Sequence, residues 1–401
     1  MTRSIALATA LLAATTVVGA QAPAQTPPAA VPIETGTQRS ALHNFRAVVV
    51  ADGLENPWSV AFIPGGEILI TERAGRLRVV RNGALVPAPV EGLPRIRTGG
   101  QGGLLDVVTH PNFASNRLVY ISYSKHSADT LTGTTAVIRG RYENGRLSDV
   151  QEIFEANLWS GGRGHHGSRL AFDKAGFLFI TLGDRQVPSE GDLAAHPSQL
   201  LNTHHGKVIR LHDDGRVPAD NPFVGREGAL PQTWTYGHRN VQGLAVHPVT
   251  GDVFITEHGP QGGDEVNVLQ PGRNYGWPVI GYGVNYQTGS AIHSGTMRQG
   301  MEQPIHVWVP SIGTSGLMFY TGDKFPEWHG SLFAGGMAGQ YLARLTVGGP
   351  ANRTITESET MFRRQGRVRE VKQGLDGFIY LTIDGQRGAR TAVVRLEPVN
   401  R

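Results

Sequence analysis

The chain has 401 residues, with 53 glycines, 24 prolines, a formal net charge of +4 and no cysteine. The absence of cysteine excludes disulfides, thiolate metal sites and cysteine nucleophilic catalysis. The positive charge is spread along the chain without a lysine- or arginine-rich block, so nucleic-acid binding is not expected. The many glycines and prolines favour tight turns over long helices.

The first 22 residues have the features of a secretory signal peptide. Arg3 precedes an apolar, alanine-rich stretch at 5–20, and small residues suggest cleavage near Ala20 or Ala22. A membrane anchor is the alternative, but the run is short and a Pro/Ala-rich segment follows it. Residues 23–42 are expected to form a disordered linker, and no second apolar run is long enough to span a bilayer. We therefore expect a periplasmic or secreted protein without a membrane span.

A degenerate hairpin repeat occupies residues 43–399. Each copy has two apolar strands joined by a turn that contains Gly, Pro, Asp or Asn. The six copies begin, in chain order, with SVAFIPGG, LLDVVTHP, SRLAFDKAG, GLAVHPVTG, SGLMFYTGD and REVKQGLDG. This repetition predicts an all-β fold, a single six-bladed β-propeller of four-stranded antiparallel blades. One large β-sandwich is the structural alternative.

Unusual polar residues are concentrated at one end of these hairpins. In an antiparallel hairpin, the start of the first strand and the end of the second strand lie at the same end. The residues at those two places are Gln101, His165, His166, Asp184, Arg239, Asn240, Gly259, Pro260, Arg367 and Arg369. We therefore expect them to share one face of the propeller, around its central channel.

The histidine pair in GHHGSRL provides the best candidate for a general base, because histidine gains and loses a proton near neutral pH. Its glycine-rich surroundings and its place at the start of a strand set it apart from the other histidines. Asp184 ends the partner strand and could orient the base by binding one ring nitrogen. The alternative is that Asp184 only forms the turn in the sequence GDR.

Two further features suggest ligand binding on the same face. The segment EHGPQGGDE, at 257–265, offers carboxylate and carbonyl oxygens for calcium, although an Asp/Gly turn explains it equally well. Arg239, Arg367 and Arg369 would converge there, and convergent arginines suit carboxylates or phosphates. Taken singly, each arginine is more often a surface ion-pair partner.

Seven segments resemble, in the same order, those of the soluble quinoprotein sugar dehydrogenases: GQGGLLDV, HHGSRLAF, TLGDR, YGHRNVQGLAVHP, EHGPQGGDEVN, GRNYGWPV and RVREVKQGLDG. The resemblance covers residues 56–384, nearly the whole expected mature chain. This family uses pyrroloquinoline quinone (PQQ) and includes soluble glucose dehydrogenase and the aldose sugar dehydrogenases. The resemblance implies an enzyme that oxidises the C1 hydroxyl of aldose sugars to lactones.

The resemblance also implies catalytic roles. His165 corresponds to the base that takes the proton of the C1 hydroxyl while hydride passes to C5 of the quinone. The spacing to the following Arg-Leu pair selects His165 over His166, which strand alternation points to a different face. Asp184 corresponds to the aspartate that orients the base, and Gln101 to a polar contact near the sugar hydroxyl within the cofactor site.

The remaining matched residues are implied to hold the cofactor and a calcium ion. The backbone carbonyls of Gly259 and Pro260 correspond to ligands of the Ca²⁺ that polarises the quinone. Arg239, which is also assigned to the catalytic set, and Asn240 correspond to contacts on the quinone side. The implied partners of the cofactor carboxylates are Arg367 and Arg369.

Three positions depart from the glucose dehydrogenase pattern. Ala338 stands where a lysine facing the cofactor is expected, and Val284 where an acidic ligand of a second calcium is expected. Gly164 precedes the base in place of an acid. These differences favour the aldose sugar dehydrogenase branch, with broader substrates, and they weaken the case for a dimer linked by structural calcium. A monomer is therefore expected.

The sequence is also compatible with two other functions. A calcium-dependent six-bladed lactonase or related hydrolase would place Glu, Asn and Asp side chains directly on a central calcium. A non-catalytic binding module would leave the His165–Asp184 pair and the arginines unexplained. For the dehydrogenase, the expected partners are an aldose sugar and an unidentified electron acceptor.

Overall fold

The structure is a computed structural model that describes residues 33–349, 353–385 and 391–399. The expected signal peptide at 1–22 and the first part of the expected linker lie outside these residues. In the described part of the linker, Gln38–Arg39 form a short strand and Ile33 is buried. Ile33 packs into the core cluster between blades 5 and 6, while most of residues 34–41 are exposed.

The described chain is almost entirely β-structure. Two strands open the fold: β1 (Gln38–Arg39) and β2 (Asn44–Asp52). Blade 1 contains β3 (Pro57–Phe62), β4 (Ile68–Glu72), β5 (Arg76–Arg81) and β6 (Ala84–Leu85). Blade 2 contains β7 (Leu104–Thr109), β8 (Leu118–His126), β9 (Gly133–Glu143) and β10 (Arg146–Glu155). Blade 3 contains β11 (Leu170–Phe172), β12 (Leu178–Leu182), β13 (Lys207–Leu211) and β14 (Thr233–Tyr236).

The second half of the chain repeats this arrangement. Blade 4 contains β15 (Val241–Val246), β16 (Val253–Glu257), β17 (Asp264–Leu269) and β18 (His306–Trp308). Blade 5 contains β19 (Thr314–Phe319), β20 (Leu332–Gly336), β21 (Tyr341–Gly348) and β22 (Thr354–Met361). Blade 6 contains β23 (Arg367–Gln373), β24 (Ile379–Asp384) and β25 (Ala392–Val399), joined by β2 and β1.

Helical structure in the described residues is limited to short pieces. They are α1 (Phe113–Asn116) and three 3₁₀ turns at Leu193–Ala195, Pro197–Gln199 and Pro326–Trp328. None of the described helices is long and apolar enough to cross a bilayer.

The blades form a closed ring. Each first strand contacts the first strand of the next blade, in the cycle β3, β7, β11, β15, β19, β23 and back to β3. The two ends of the chain meet in blade 6, where β2 pairs with β25 from Asn44↔Val399 to Asp52↔Ala392. The predicted six-bladed propeller of four-stranded antiparallel blades is confirmed, and β1 adds a fifth, two-residue strand to blade 6.

Apolar side chains fill the space between neighbouring blades. The described residues form six core clusters, and each cluster joins two adjacent blades. Both faces of an inner strand are therefore covered, which explains why Ile68–Glu72 is buried at all five positions instead of alternating. Hydrophobic burial between blades stabilises the ring and leaves the channel free for polar groups.

β-bulges shape the wall of the channel at one end. The strand register shifts near the start of the first strand in five blades: 1, 2, 4, 5 and 6. The residues inside these shifts include Trp58, Leu105, Gln242 and Arg369, and all four line one central cavity. Since a bulge redirects a side chain, the bulges explain how these residues face the channel.

Candidate active site

The loop before β11 holds His165 in a left-handed backbone conformation, with φ of +46°. Its backbone N–H donates to Oε1 of Gln101 at 2.8 Å, and its Nδ1 lies 2.6 Å from Oδ1 of Asp184. Because a carboxylate can only accept, Asp184 selects the tautomer that carries its proton on Nδ1. Nε2 is left as an acceptor, and it has no hydrogen bond to a protein atom in the described structure.

Gly167 allows this loop to pass close to the neighbouring strand. Its φ is +62°, and a Cβ atom there would lie 2.8 Å from backbone atoms of Leu182 and Gly183. A side chain at this position would therefore displace the loop that presents His165.

The environment keeps the pair in the state that a base requires. Burial lowers the pKa of the His165 ring; Asp184 opposes this shift, and the guanidinium groups of Arg239 and Arg185 add to it. Burial disfavours the charge of Asp184, but attraction to His165, Arg239 and the N–H of Gln186 holds its pKa below the usual value. At neutral pH the pair is therefore a neutral imidazole beside a carboxylate.

Trp277 completes this arrangement, although the sequence analysis gave it no role. Its indole N–H donates to Oδ2 of Asp184 at 2.8 Å, and its ring lies 5.1 Å from the guanidinium carbon of Arg239. The backbone N–H of Gln186 donates to Oδ1 of Asp184 at 2.9 Å. Both carboxylate oxygens are thus held by hydrogen bonds, so Asp184 has little freedom to turn away from His165.

A cavity of about 290 Å³ opens beside the pair, and we call it the side cavity. Its volume is near the lower end of the range for small-molecule sites. Its lining includes His165, Asp184, Arg239, Pro260, Trp277 and Tyr286. His165, whose Nε2 has no hydrogen-bond partner in the described protein, is therefore next to space for a small polar molecule.

A second and larger space, of about 670 Å³, occupies the mouth of the channel, and we call it the central cavity. Four of the predicted residues line it: Gln101, His166, Arg367 and Arg369. Gln101 connects the two cavities, because its side chain lines the central one and binds the backbone of His165. Of the ten predicted residues, four line the central cavity, four line the side cavity, and Asn240 and Gly259 line neither.

The central cavity is rich in guanidinium groups. Arg369 donates to Oε1 of Gln242 at 3.0 Å and lies 3.5 Å from Oδ2 of Asp384, while its buried Nε has no partner. Burial lowers the pKa of Arg369 to about 10. The contact found for the Arg367 guanidinium is a 3.6 Å approach to Sδ of Met337. These unsatisfied donors fit an anionic ligand with carboxylate groups.

The two adjacent histidines face different cavities. His166 is buried, its Nδ1 lies 3.1 Å from Oγ of Ser124, and its Nε2 has no partner. Its ring lines the central cavity, whereas His165 lines the side cavity. Burial lowers the pKa of His166 well below its usual value, so this ring is also neutral at pH 7.

Asn240 is placed differently from the other predicted residues. It is fully buried, and its Oδ1 accepts from the N–H of Gly167 at 3.2 Å and from Nε2 of Gln242 at 3.1 Å. The Asn240 amide therefore holds the loop that carries His165 through its bond to Gly167. Its implied contact with the quinone stays a prediction.

The carbonyls predicted as calcium ligands are engaged within the protein. Nη1 of Arg239 donates to O of Gly259 at 2.8 Å, and Oγ of Ser311 donates to O of Pro260 at 3.2 Å. No group of three or more His, Asp or Glu side chains suited to a metal occurs in the described ranges. Carbonyl oxygens are hard donors that fit calcium, but further oxygens from a ligand or water would have to complete its shell.

Sequence reasoning missed Arg73, Asp384 and Asn56, which also line the central cavity. Arg73 directly follows β4, and Asp384 is the last residue of β24. Both stand at the end of a second strand, which is one of the two places that the hairpin argument selects. The signal was thus present in the sequence.

Comparison with known proteins identifies the family of the chain. The family model for glucose/sorbosone dehydrogenases matches residues 54–395. Aldose sugar dehydrogenase YliI of Escherichia coli is 40% identical over 347 residues, which cover 85% of this chain and 90% of that protein.

Solved structures support the same relationship. The apo form of the soluble aldose sugar dehydrogenase of E. coli matches with a TM-score of 0.81 and 36% identity, covering 88% of this chain and 100% of that one. The PQQ-bound aldose sugar dehydrogenase of Streptomyces coelicolor matches with a TM-score of 0.69 and 26% identity, covering 88% and 98%. The dehydrogenase interpretation is thereby favoured over a hydrolase or a binding module. The chain belongs to the glucose/sorbosone dehydrogenase family of oxidoreductases.

Proposed function

We propose that this protein is a quinoprotein that oxidises the C1 hydroxyl of aldose sugars to lactones, with PQQ as its cofactor and His165 as its general base. The observation that carries the proposal is the His165–Asp184 pair, which lines the side cavity and leaves Nε2 of His165 without a partner in the described protein. The arginines of the adjoining central cavity and the PQQ-bound relative support the choice of cofactor.

His165 is suited to the proton transfer. The sugar would bind in the side cavity with its C1 hydroxyl directed at Nε2, which accepts the proton. Asp184, bound to Nδ1–H, stabilises the imidazolium that forms. The hydroxyl loses a proton, C1 loses a hydride, and the C1–O bond becomes the carbonyl of the lactone. A positioned base of this kind typically contributes about 10²–10⁴ in rate.

The residues present fit a polycarboxylate cofactor. When bound, PQQ would supply the acceptor that receives the hydride from C1. Arg367 and Arg369 would bind its carboxylates, and Gln101 would stand between cofactor and base. The buried Nε of Arg369, which lacks a partner, would gain an anionic neighbour.

We propose that calcium binds together with the cofactor at the carbonyls of Gly259 and Pro260. The guanidinium of Arg239 now binds the first of these oxygens, and its positive charge would repel the ion. Arg239 would therefore move off Gly259 when calcium arrives and become available to the oxygen atoms of the ligands. The ion would act as a Lewis acid next to the side cavity.

Reconstitution of the purified protein tests this function. PQQ and Ca²⁺ are added to the apoprotein, and dye reduction is followed with a panel of aldoses. Reduction that requires PQQ, an aldose and His165 is the expected result. The proposal is wrong if PQQ does not bind or if no aldose reduces the dye. Omitting Ca²⁺ after treatment with a chelator tests the metal separately.

The cellular setting is part of the proposal. The expected signal peptide supports export to the periplasm or the medium. We propose a monomer that passes its electrons to an acceptor still to be identified. Size-exclusion chromatography with light scattering measures the oligomeric state, and cell fractionation measures the location.

A further inference from the structure

The central cavity contains one guanidinium group more than the family resemblance assigns. Arg73 lines this cavity together with Arg367 and Arg369. Its Nη1 donates to O of Gly100 at 2.8 Å, which fixes the side chain, while its buried Nε has no partner. Arg73 is therefore held in place with donor capacity that the protein does not use.

The charges around this cavity do not balance. Among the described residues that line it, Asp384 supplies the carboxylate, and that carboxylate is bound by Nδ2 of Asn56 at 2.8 Å and faces Arg369 at 3.5 Å. Glu72 precedes Arg73 in the chain, but it forms its ion pair with Arg76 at 2.6 Å. The positive charge of Arg73 is thus not neutralised by a neighbouring acid.

The arginines also repel one another. Burial is the main reason why the pKa of Arg369 falls to about 10, and the charges of Arg73 and Arg367 contribute to the fall. A cluster of like charges in a partly buried space is stabilised when an anion enters it. The ligand that best fits such a cluster carries several carboxylates on a rigid frame, because each arginine can then bind a separate group.

We propose that Arg73 is a further cofactor-binding arginine beside Arg367 and Arg369, which binds a carboxylate of PQQ and supplies the positive charge that the family lysine would provide at Ala338. This inference rests on the proposed function, since it takes PQQ as the ligand. It extends that function by assigning blade 1 a part in cofactor binding. The contact with Gly100 orients the guanidinium in advance, so little conformational entropy is lost on binding.

Direct binding measurements test the role of Arg73 without using catalysis. PQQ is titrated into apoprotein in the presence of Ca²⁺, and the quenching of tryptophan fluorescence reports binding near Trp58. We expect Arg73→Gln to raise the Kd by about tenfold or more, the size typical of a lost charge-assisted hydrogen bond, as Arg367→Gln should. Arg81→Gln, in the same blade but in an exposed pair with Glu67, is the matched control and should leave Kd unchanged.

A second titration uses the trimethyl ester of PQQ and tests whether the effect of Arg73 depends on the carboxylates of the cofactor. The ester lacks the carboxylate charges, so the difference between the wild type and Arg73→Gln should fall to less than about twofold. Arg73→Lys keeps the charge but not the planar fork, and we expect a Kd between those of the two proteins. If Arg73→Gln does not fold, the Kd of Arg73→Lys alone tests whether Arg73 binds the cofactor.

The outcomes separate the two proposals. If the wild type does not bind PQQ, the proposed function is wrong. If the wild type binds PQQ and both Arg73 variants bind it equally well, the function stands and the role of Arg73 is overturned. An equal loss of affinity for PQQ and for its trimethyl ester would also overturn it, because the effect would then not depend on the carboxylates.

Discussion

Trp277 donates its indole N–H to Oδ2 of Asp184 at 2.8 Å, while Oδ1 of the same carboxylate lies 2.6 Å from Nδ1 of His165. The three side chains form one hydrogen-bonded series that ends at Nε2 of His165, the proposed base. The Trp277 ring also lies against the Arg239 guanidinium. One aromatic residue therefore positions both the Asp184 carboxylate and the Arg239 guanidinium.

Trp277→Phe should shift the pH dependence of the reaction. The variant keeps an aromatic ring against Arg239 but removes one hydrogen bond from Asp184, so the carboxylate attracts the imidazolium more strongly. The pKa of His165 should rise, and the acidic limb of the pH–rate profile should move to higher pH by about half a unit to one unit. The measurement is kcat/KM across pH 4–9 in the reconstituted enzyme.

The other charged or titratable groups around His165 are unchanged in this variant. They are Asp184, Arg185, Arg239, His166 and His258. Trp159→Phe, at a more exposed tryptophan, serves as the control and should leave the profile in place. A fall in activity without a shift of the acidic limb would mean that Trp277 only supports the local packing.

His165→Ala should reduce kcat by about 10²–10⁴-fold, because it removes the proton acceptor from the side cavity. The Kd for PQQ, measured by titration, should change by less than about twofold, since the cofactor arginines are untouched. His166→Ala is the natural comparison, as its ring lines the central cavity. Turnover that survives in the His165 variant but is lost in the His166 variant would transfer the role of base to His166.

Much of the fold and the shared face of the site followed from hairpin geometry. The apolar strand pairs identified the six blades, and strand polarity placed residues as distant as Gln101 and Arg369 around one cavity. Closure of the ring by β2 was not predicted, because an apolar strand near the N-terminus has no partner that is local in sequence. Trp277 was also missed, since its bond to Asp184 spans 93 residues and follows no periodic pattern.

Ala338→Lys should strengthen cofactor binding. Ala338 is exposed and follows Met337, which lines the central cavity, so a lysine there would add a cation near the cavity rim. We expect the Kd for PQQ to fall by up to about fivefold at low salt, the size of an exposed ion pair, and the gain to shrink at high salt. Ala338→Gln has a long side chain without a charge and is the control. Equal affinities of the two variants would show that position 338 does not contact the cofactor.

Arg169→Met should destabilise the propeller and make it more sensitive to acid. Arg169 forms a buried ion pair with Glu370 and lies 3.6 Å from Asp106, so it connects blades 2, 3 and 6. Removing one partner of a buried pair leaves an uncompensated charge, and we expect a loss of about 3 kcal/mol in the free energy of unfolding. Urea denaturation at pH 7 measures it, with Arg46→Met, in an exposed pair with Glu397, expected to lose less than about 1 kcal/mol.

The pH dependence of this loss identifies its cause. Burial disfavours the charge of Asp106, but the attraction of Lys372 and Arg169 holds its pKa below the usual value. A carboxyl with a lowered pKa in the folded state contributes stability above its unfolded pKa and loses that contribution as the pH falls through the folded value. Without Arg169 the folded pKa rises, so the midpoint of acid unfolding should move to higher pH. A loss of unfolding free energy that stays the same as the pH is lowered would attribute it to packing against Trp58, whose ring lies 4.1 Å from the guanidinium carbon of Arg169.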